Sequence, residues 1–156
     1  MQLSDIISSD AVLPALKASS KKKLLQELAA SAAELTNIDA KLIFETLMQR
    51  ERLGSTGLGQ GIAIPHGKFA SLEKVHGLFA RLAKPTEFEA TDGQPVDLVF
   101  LLMAPEKAGA DHLKALARIS RLLRDQTVVE KLRGTDDAAG LYSILTEPAA
   151  SASHAA

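Results

Sequence analysis

The sequence has no cysteine, no tryptophan, one tyrosine and five phenylalanines. Without cysteine there is no disulfide framework, no thiolate nucleophile and no cysteine zinc site, a composition that fits a reducing compartment. Neither sign of charge dominates: 18 basic and 19 acidic side chains leave a formal net charge of −1. That balance points to no nucleic-acid partner and no acidic tail. Long apolar runs are also missing, since no uncharged stretch approaches the ~20 residues that span a bilayer. Met1-Gln2-Leu3-Ser4-Asp5 lacks the basic and apolar segments of a signal peptide. These absences imply a cytoplasmic protein without membrane insertion. Its 156 residues contain no internal repeat and make one domain, a length that buries ~68–70% of the unfolded surface.

What is present reads in order as helices, strands and helices. Residues 3–16 mix apolar and polar side chains around Pro14 and predict a turn of helix and a brief extended piece. Leu25, Leu28, Ala29, Ala32 and Leu35 recur at helical spacing, so an amphipathic helix is expected over 20–36, with Lys21-Lys22-Lys23 in its solvated first turn. Ile43, Phe44, Leu47 and Met48 mark a second helix, closed by Gly54 at C′, and the two form a hairpin. Residues 75–83 alternate as a strand, with Leu78, Ala80 and Leu82 on one face and Lys84-Pro85 ending it. An edge piece is expected over 87–92 and a turn at Asp92-Gly93. Residues 96–103, the most apolar of the chain, predict a buried central strand.

Beyond Pro105, Asp111 is expected to cap a helix with Lys114, Arg118 and Arg121 on a solvated face. Two short helices follow over 127–132 and 136–145. The tail at 148–156, with His154, has nothing to bury and is expected to be disordered. The links between strands after His66 are too short for parallel crossovers. The fold expected over 1–147 is therefore an α/β single-domain sandwich, a mixed and mostly antiparallel sheet flanked by helices.

The unusual chemistry lies between Arg50 and Lys68. A helix carrying Arg50 and Arg52 ends at a glycine, a run of small residues with Ser55 and Thr56 follows, and a short apolar strand leads to His66 between Pro65 and Gly67. Pro65 biases Ile64 towards an extended conformation, and Gly67 removes the next side chain. The imidazole is thus held at a strand end with open backbone beside it. Its pKa near neutrality leaves an unprotonated nitrogen able to attack as a nucleophile.

Other chemistries fit less well. A dinucleotide fingerprint starting at Gly57 would need glycine at Ile62, and a P-loop starting at Gly61 would need glycine at His66 and lysine at Gly67. Gly54-Ser55-Thr56-Gly57 is not a nucleophile elbow. His66 and His112 belong to no paired-histidine metal motif. The plainer reading of His66, a strand-end histidine satisfied by backbone, stands beside the catalytic one.

The run from Arg50 to Lys68, above all Gly-Ile-Ala-Ile-Pro-His-Gly, resembles the phosphorylation-site signature of enzyme IIA proteins of the fructose and mannitol class of the bacterial phosphotransferase system. Arg-Glu-Arg-Leu-Gly-Ser-Thr-Gly is most similar to the nitrogen-regulatory members of that class. The resemblance implies that His66 accepts a phosphoryl group, through Nε2, from an HPr-like carrier. It also implies that Arg50 steadies that group and that His112 is a second active-site histidine. Arg52, Ser55, Thr56 and the Gly67 amide are further candidate donors to the phosphoryl oxygens, and Leu58 and Phe69 candidate docking residues. Phosphoryl transfer from a phosphohistidine needs no metal and no cofactor. The regulatory targets implied are proteins of nitrogen metabolism and of potassium transport or sensing. Two alternatives are a sugar-specific component passing phosphate to a IIB domain, and a non-catalytic binding regulator.

Overall fold

The computed structural model describes residues 2–147, so the tail expected to be disordered, His154 included, lies outside the described residues. Two 3-10 turns, Leu3–Asp5 and Ser9–Ala11, lead into strand β1 (Val12–Leu16). Helices α1 (Lys21–Thr36) and α2 (Ala40–Arg52) form the expected hairpin. Ser20 caps α1, its hydroxyl accepting from the Lys23 amide at 3.1 Å. The apolar stripe of α1 (Leu24, Leu25, Leu28, Ala29, Ala32) is buried, as are Ile43 and Leu47 of α2.

Strands β2 (Gly57–Gly59), β3 (Ile62–Ala63), β4 (His66–Phe69), β5 (His76–Thr86) and β6 (Val96–Pro105) follow, then helices α3 (Ala110–Leu122), α4 (Gln126–Arg133) and α5 (Ala138–Thr146). Asp125 and Asp137 cap α4 and α5 with their carboxylates. On α3, Lys114 and Arg121 face water as expected, whereas Arg118 is half-buried.

The sheet runs β1-β5-β6-β3-β2, with β4 on the same edge of β6 as β3. Residues 98–104 of β6 are all buried, which makes it the core strand the sequence predicts. β3 and β4 share one register along it: Ile62 opposite Leu98, Ala63 opposite Val99, His66 opposite Leu102, Gly67 opposite Met103. They are one line of chain interrupted at Ile64 and Pro65, because Pro65 has no N–H to give the ladder. The apolar strand expected to run up to His66 thus stops at Ala63, and the histidine opens a second strand.

Five further expectations are corrected. The sheet is mixed and flanked by helices, but β1–β5, β3–β6 and β4–β6 are parallel while only β2–β3 and β5–β6 are antiparallel. Link length constrains consecutive strands, and here the parallel neighbours are not consecutive. β5 does not end at Lys84-Pro85 but runs to Thr86, its register shifting between Arg81 and Thr86 so that the proline avoids the ladder. Its residues 77–80 are buried on both faces rather than one. The edge piece over 87–92 is irregular, although the Asp92-Gly93 turn forms and the Gly93 amide donates to Ala90 O at 2.9 Å. Gly109 rather than Asp111 occupies the N-cap of α3, which leaves Asp111 and His112 in its first turn.

Candidate active site

The tight turn Gln60-Gly61, with φ of 57° and 84°, folds β2 back on β3. β3 then carries the chain along β6 to His66, which is half-buried at the start of β4. The His66 Nδ1 lies 2.9 Å from the carbonyl oxygen of Ile64. A carbonyl only accepts, so Nδ1 carries the proton and donates it, and Nε2 is left with the lone pair. The orienting acceptor is thus the backbone of the residue that Pro65 holds extended. Burial pushes the imidazole pKa below its ordinary 6.5; the bond to Ile64 opposes that, the Arg50 charge reinforces it, and Glu51 opposes it. The ring is therefore neutral at neutral pH and nucleophilic at Nε2.

Arg50 lies in the last turn of α2, where its guanidinium donates to the Gly54 carbonyl at 2.9 Å. One bond leaves most of its donors uncommitted, and its charge adds to the lowering of the His66 pKa. Arg52 is exposed and makes no hydrogen bond or ion pair among the described residues. Gly67 packs against α2, where a Cβ would meet Thr46 Cγ2 at 2.9 Å. The missing side chain therefore allows helix and strand to approach.

Two expected phosphate donors have their hydroxyls engaged elsewhere. Ser55 donates to Phe88 O at 3.0 Å and accepts from the Gly57 amide at 3.0 Å. The Thr56 hydroxyl donates to the Glu51 carboxylate, which also accepts the Thr56 amide at 3.0 Å. Both side chains brace the loop behind His66. Glu51, only 8% exposed and paired with Lys21 at 2.9 Å, is a site residue the sequence reading missed. Its signals were an acid between two arginines at a helix end and a threonine five residues on.

His112 comes from the other side, in the first turn of α3, with its ring centroid 5.7 Å from that of His66. It is 9% exposed, and its Nε2 is buried without a hydrogen-bond partner among the described residues. Burial lowers its pKa, with smaller contributions from His66 and Lys68. A buried unpaired nitrogen is costly unless a partner arrives. Leu53, just after α2, and Leu113, next to His112 in α3, are 85% and 68% exposed. Leu58 is open as expected, but Phe69 is 3% exposed and belongs to the core, so it offers no docking surface. β4 alternates, and the position of His66 at its open end turns Phe69 inward.

No group of three or more His, Cys, Asp or Glu among the described residues could hold a metal ion. No described helix is long and apolar enough to cross a membrane.

The model of the family described as "Phosphoenolpyruvate-dependent sugar phosphotransferase system, EIIA 2" matches residues 5–147. The chain belongs to this EIIA 2 family. Within it the protein is 62% identical over 152 residues to the nitrogen regulatory protein of Bradyrhizobium diazoefficiens, covering 97% of this chain and 99% of that one. It is 37% identical over 149 residues to the nitrogen regulatory protein of Escherichia coli, covering 94% and 91%. The crystal structure of nitrogen regulatory protein IIA-Ntr from Neisseria meningitidis superposes with a TM-score of 0.87 at 35% identity, over 92% of this chain and 99% of that one. The mannitol IIA of Escherichia coli shares the fold, with a TM-score of 0.74 at 20% identity over 88% and 97%. EIIA proteins act as phosphotransfer components. This EIIA 2 protein carries at the start of β4 a half-buried imidazole with a second histidine ring 5.7 Å away.

Proposed function

We propose that the protein is a cytoplasmic phosphocarrier whose His66 takes a phosphoryl group on Nε2 from the phosphohistidine of an HPr-like protein. In this reading it serves as a regulator linked to nitrogen metabolism and potassium balance. The observation that carries the reading is the Nδ1–H bond to Ile64 O, which leaves Nε2 as the lone-pair nitrogen. That nitrogen attacks phosphorus in line. The new N–P bond forms as the donor's N–P bond breaks, and the donor imidazole departs with the electron pair. Positive charge develops on the His66 ring, where the Nδ1–H bond to Ile64 strengthens. Arg50 meets the equatorial oxygens, and His112 Nε2, as an N–H tautomer, finds in them the partner it lacks. Ser55 and Thr56 act on the loop and do not touch the phosphoryl group.

Phosphorylation adds roughly −1.5 to −2 charges at one spot, enough for a regulatory target to discriminate between the two states. A target that binds both states equally would remove the regulatory half of the proposal. The test of the first half is incubation with phosphoenolpyruvate, enzyme I and an HPr-like carrier, read by intact mass. One acid-labile adduct on the wild type, absent in His66→Ala, is expected. No adduct from a demonstrably active donor would overturn it and leave a binding regulator. A second reading, onward transfer to a IIB domain, is favoured by 37% identity over 125 residues to a Haloferax volcanii protein named a fructose-specific EIIA component. Phosphoryl transfer to a purified IIB domain would decide for it.

A further inference from the structure

Behind the phosphoacceptor a continuous line of polar contacts runs from the start of α1 to the imidazole. Lys21 Nζ pairs with Glu51 Oε1 at 2.9 Å. The Glu51 carboxylate accepts from both the amide and the hydroxyl of Thr56. The Thr56 carbonyl accepts the Ile64 amide at 3.1 Å, and the Ile64 carbonyl accepts Nδ1–H of His66 at 2.9 Å. We propose that Glu51, held by Lys21, is a positioning residue for phosphoryl transfer. It fixes the Ile64 carbonyl through Thr56 and places a negative charge behind the ring that becomes positive. This rests on His66 being the phosphoacceptor.

The placement of the two charges supports the assignment. Lys21 is the first residue of α1 and Glu51 lies in the last turn of α2. Each stands at the helix end whose dipole disfavours its charge, so neither is explained by helix stability. Both are desolvated, with side chains 14% and 3% exposed, and a buried ion pair often gains nothing over apolar packing. Lys21 is further held by the Phe88 ring, 4.6 Å from Nζ, and by the Glu89 carboxylate at 3.6 Å. Phe88 O in turn accepts from Ser55, so the loop on both sides of Thr56 is tied to one anchor.

Arg50 and Glu51 are consecutive on a helix and point about 100° apart. Arg50 is available to the phosphoryl oxygens, while Glu51 faces the loop that carries the ring's acceptor. As Nε2 attacks, negative charge on the phosphoryl group and positive charge on the imidazole move into separately prepared fields. The opposite signs with which the two residues act on His66 agree with this division.

The test compares wild type with Glu51→Gln, Thr56→Val and Lys21→Met. Each is scored for ring-nitrogen NMR of unphosphorylated His66, phosphoryl uptake per folded molecule, and melting temperature. In Glu51→Gln the His66 pKa is expected to fall further, its Nε2–H tautomer to gain population, and uptake to slow about tenfold. Thr56→Val and Lys21→Met are expected to move the same readouts less, and they carry the test if Glu51→Gln does not fold. A lowered melting temperature with unchanged His66 titration, tautomer and uptake would reduce Glu51 to a loop brace and overturn the proposal. If wild type accepts no phosphoryl group from an active donor, the phosphoacceptor reading fails and the positioning role falls with it; wild-type uptake with unchanged variant spectra and uptake overturns the positioning role alone.

Discussion

The β5–β6 hairpin and the segment 50–68 meet at the centre of the sheet, and they are held there by different forces. In the hairpin, Leu78 faces Leu101 and Phe79 faces Phe100, whose tilted rings are 6.4 Å apart. Residues 77–80 and 98–104 there are buried and apolar, and their stability comes from area removed from water, which is not directional. In the segment, strands are two to four residues long. Its geometry rests on bonds between particular atoms, such as Glu51 to Thr56 and Ile64 to His66. Burial tolerates small shifts, whereas an imidazole aimed at phosphorus does not. The hairpin makes the fold stable, and the segment spends part of that stability on a defined nitrogen.

Substitutions should separate the two regions. The largest effect on stability is expected from Phe100→Ala, which opens a cavity beside Phe79 and costs about 3–5 kcal/mol. Denaturant midpoints would read the loss, and phosphoryl uptake per folded molecule should stay unchanged. Arg50→Ala should do the reverse, slowing uptake about 10²-fold while shifting stability by no more than about 1 kcal/mol. An equal loss in both measurements for either variant would break the comparison.

pH gives a smaller effect with a definite sign. Burial depresses the pKa values of His66, His76 and His112 below 6.5, with Arg50, Lys74 and the His66–Lys68 pair reinforcing the shift in turn. Below 6.5 the unfolded chain binds protons that these folded histidines refuse, so their contribution to stability is complete above that pH. It is lost as pH falls through the folded values. Denaturant midpoints should therefore rise with pH up to about 6.5–7 and level off above it, and uptake should persist somewhat below pH 6.5 because His66 is still neutral. The smallest change is expected from Arg52→Ala. Its side chain is exposed and unpaired among the described residues, so stability should move within about 0.5 kcal/mol and uptake less than about twofold.

The helices were legible because their signals are local. The apolar stripes of α1 and α2 are read within one or two turns of chain. β6 was legible as an apolar run between prolines. Strand partners were not, since pairing β1 with β5 or β4 with β6 depends on contacts far apart in sequence. Pro85 was misread because a proline ends a strand only where the ladder needs its N–H, and the register shift after Arg81 removes that need. At the site, His66, Arg50 and His112 were singled out by type and motif, and the structure brings the two histidine rings together. The commitment of the Ser55 and Thr56 hydroxyls to Phe88 and Glu51 was hidden, because a hydroxyl's partner is chosen by whichever acceptor folding brings near.

By itself the sequence determined a cysteine-free α/β chain with an amphipathic helical hairpin, a buried apolar strand and one histidine isolated between proline and glycine. Composition, period and residue type are properties of neighbours along the chain. Only the tertiary structure decided which nitrogen of that histidine is free, that His112 stands 5.7 Å from it ring to ring, and that Glu51 and Lys21 are buried together behind it. Those facts depend on distances between α1, α2, α3 and β4, and such distances exist only after the sheet has drawn these elements to one end of β6.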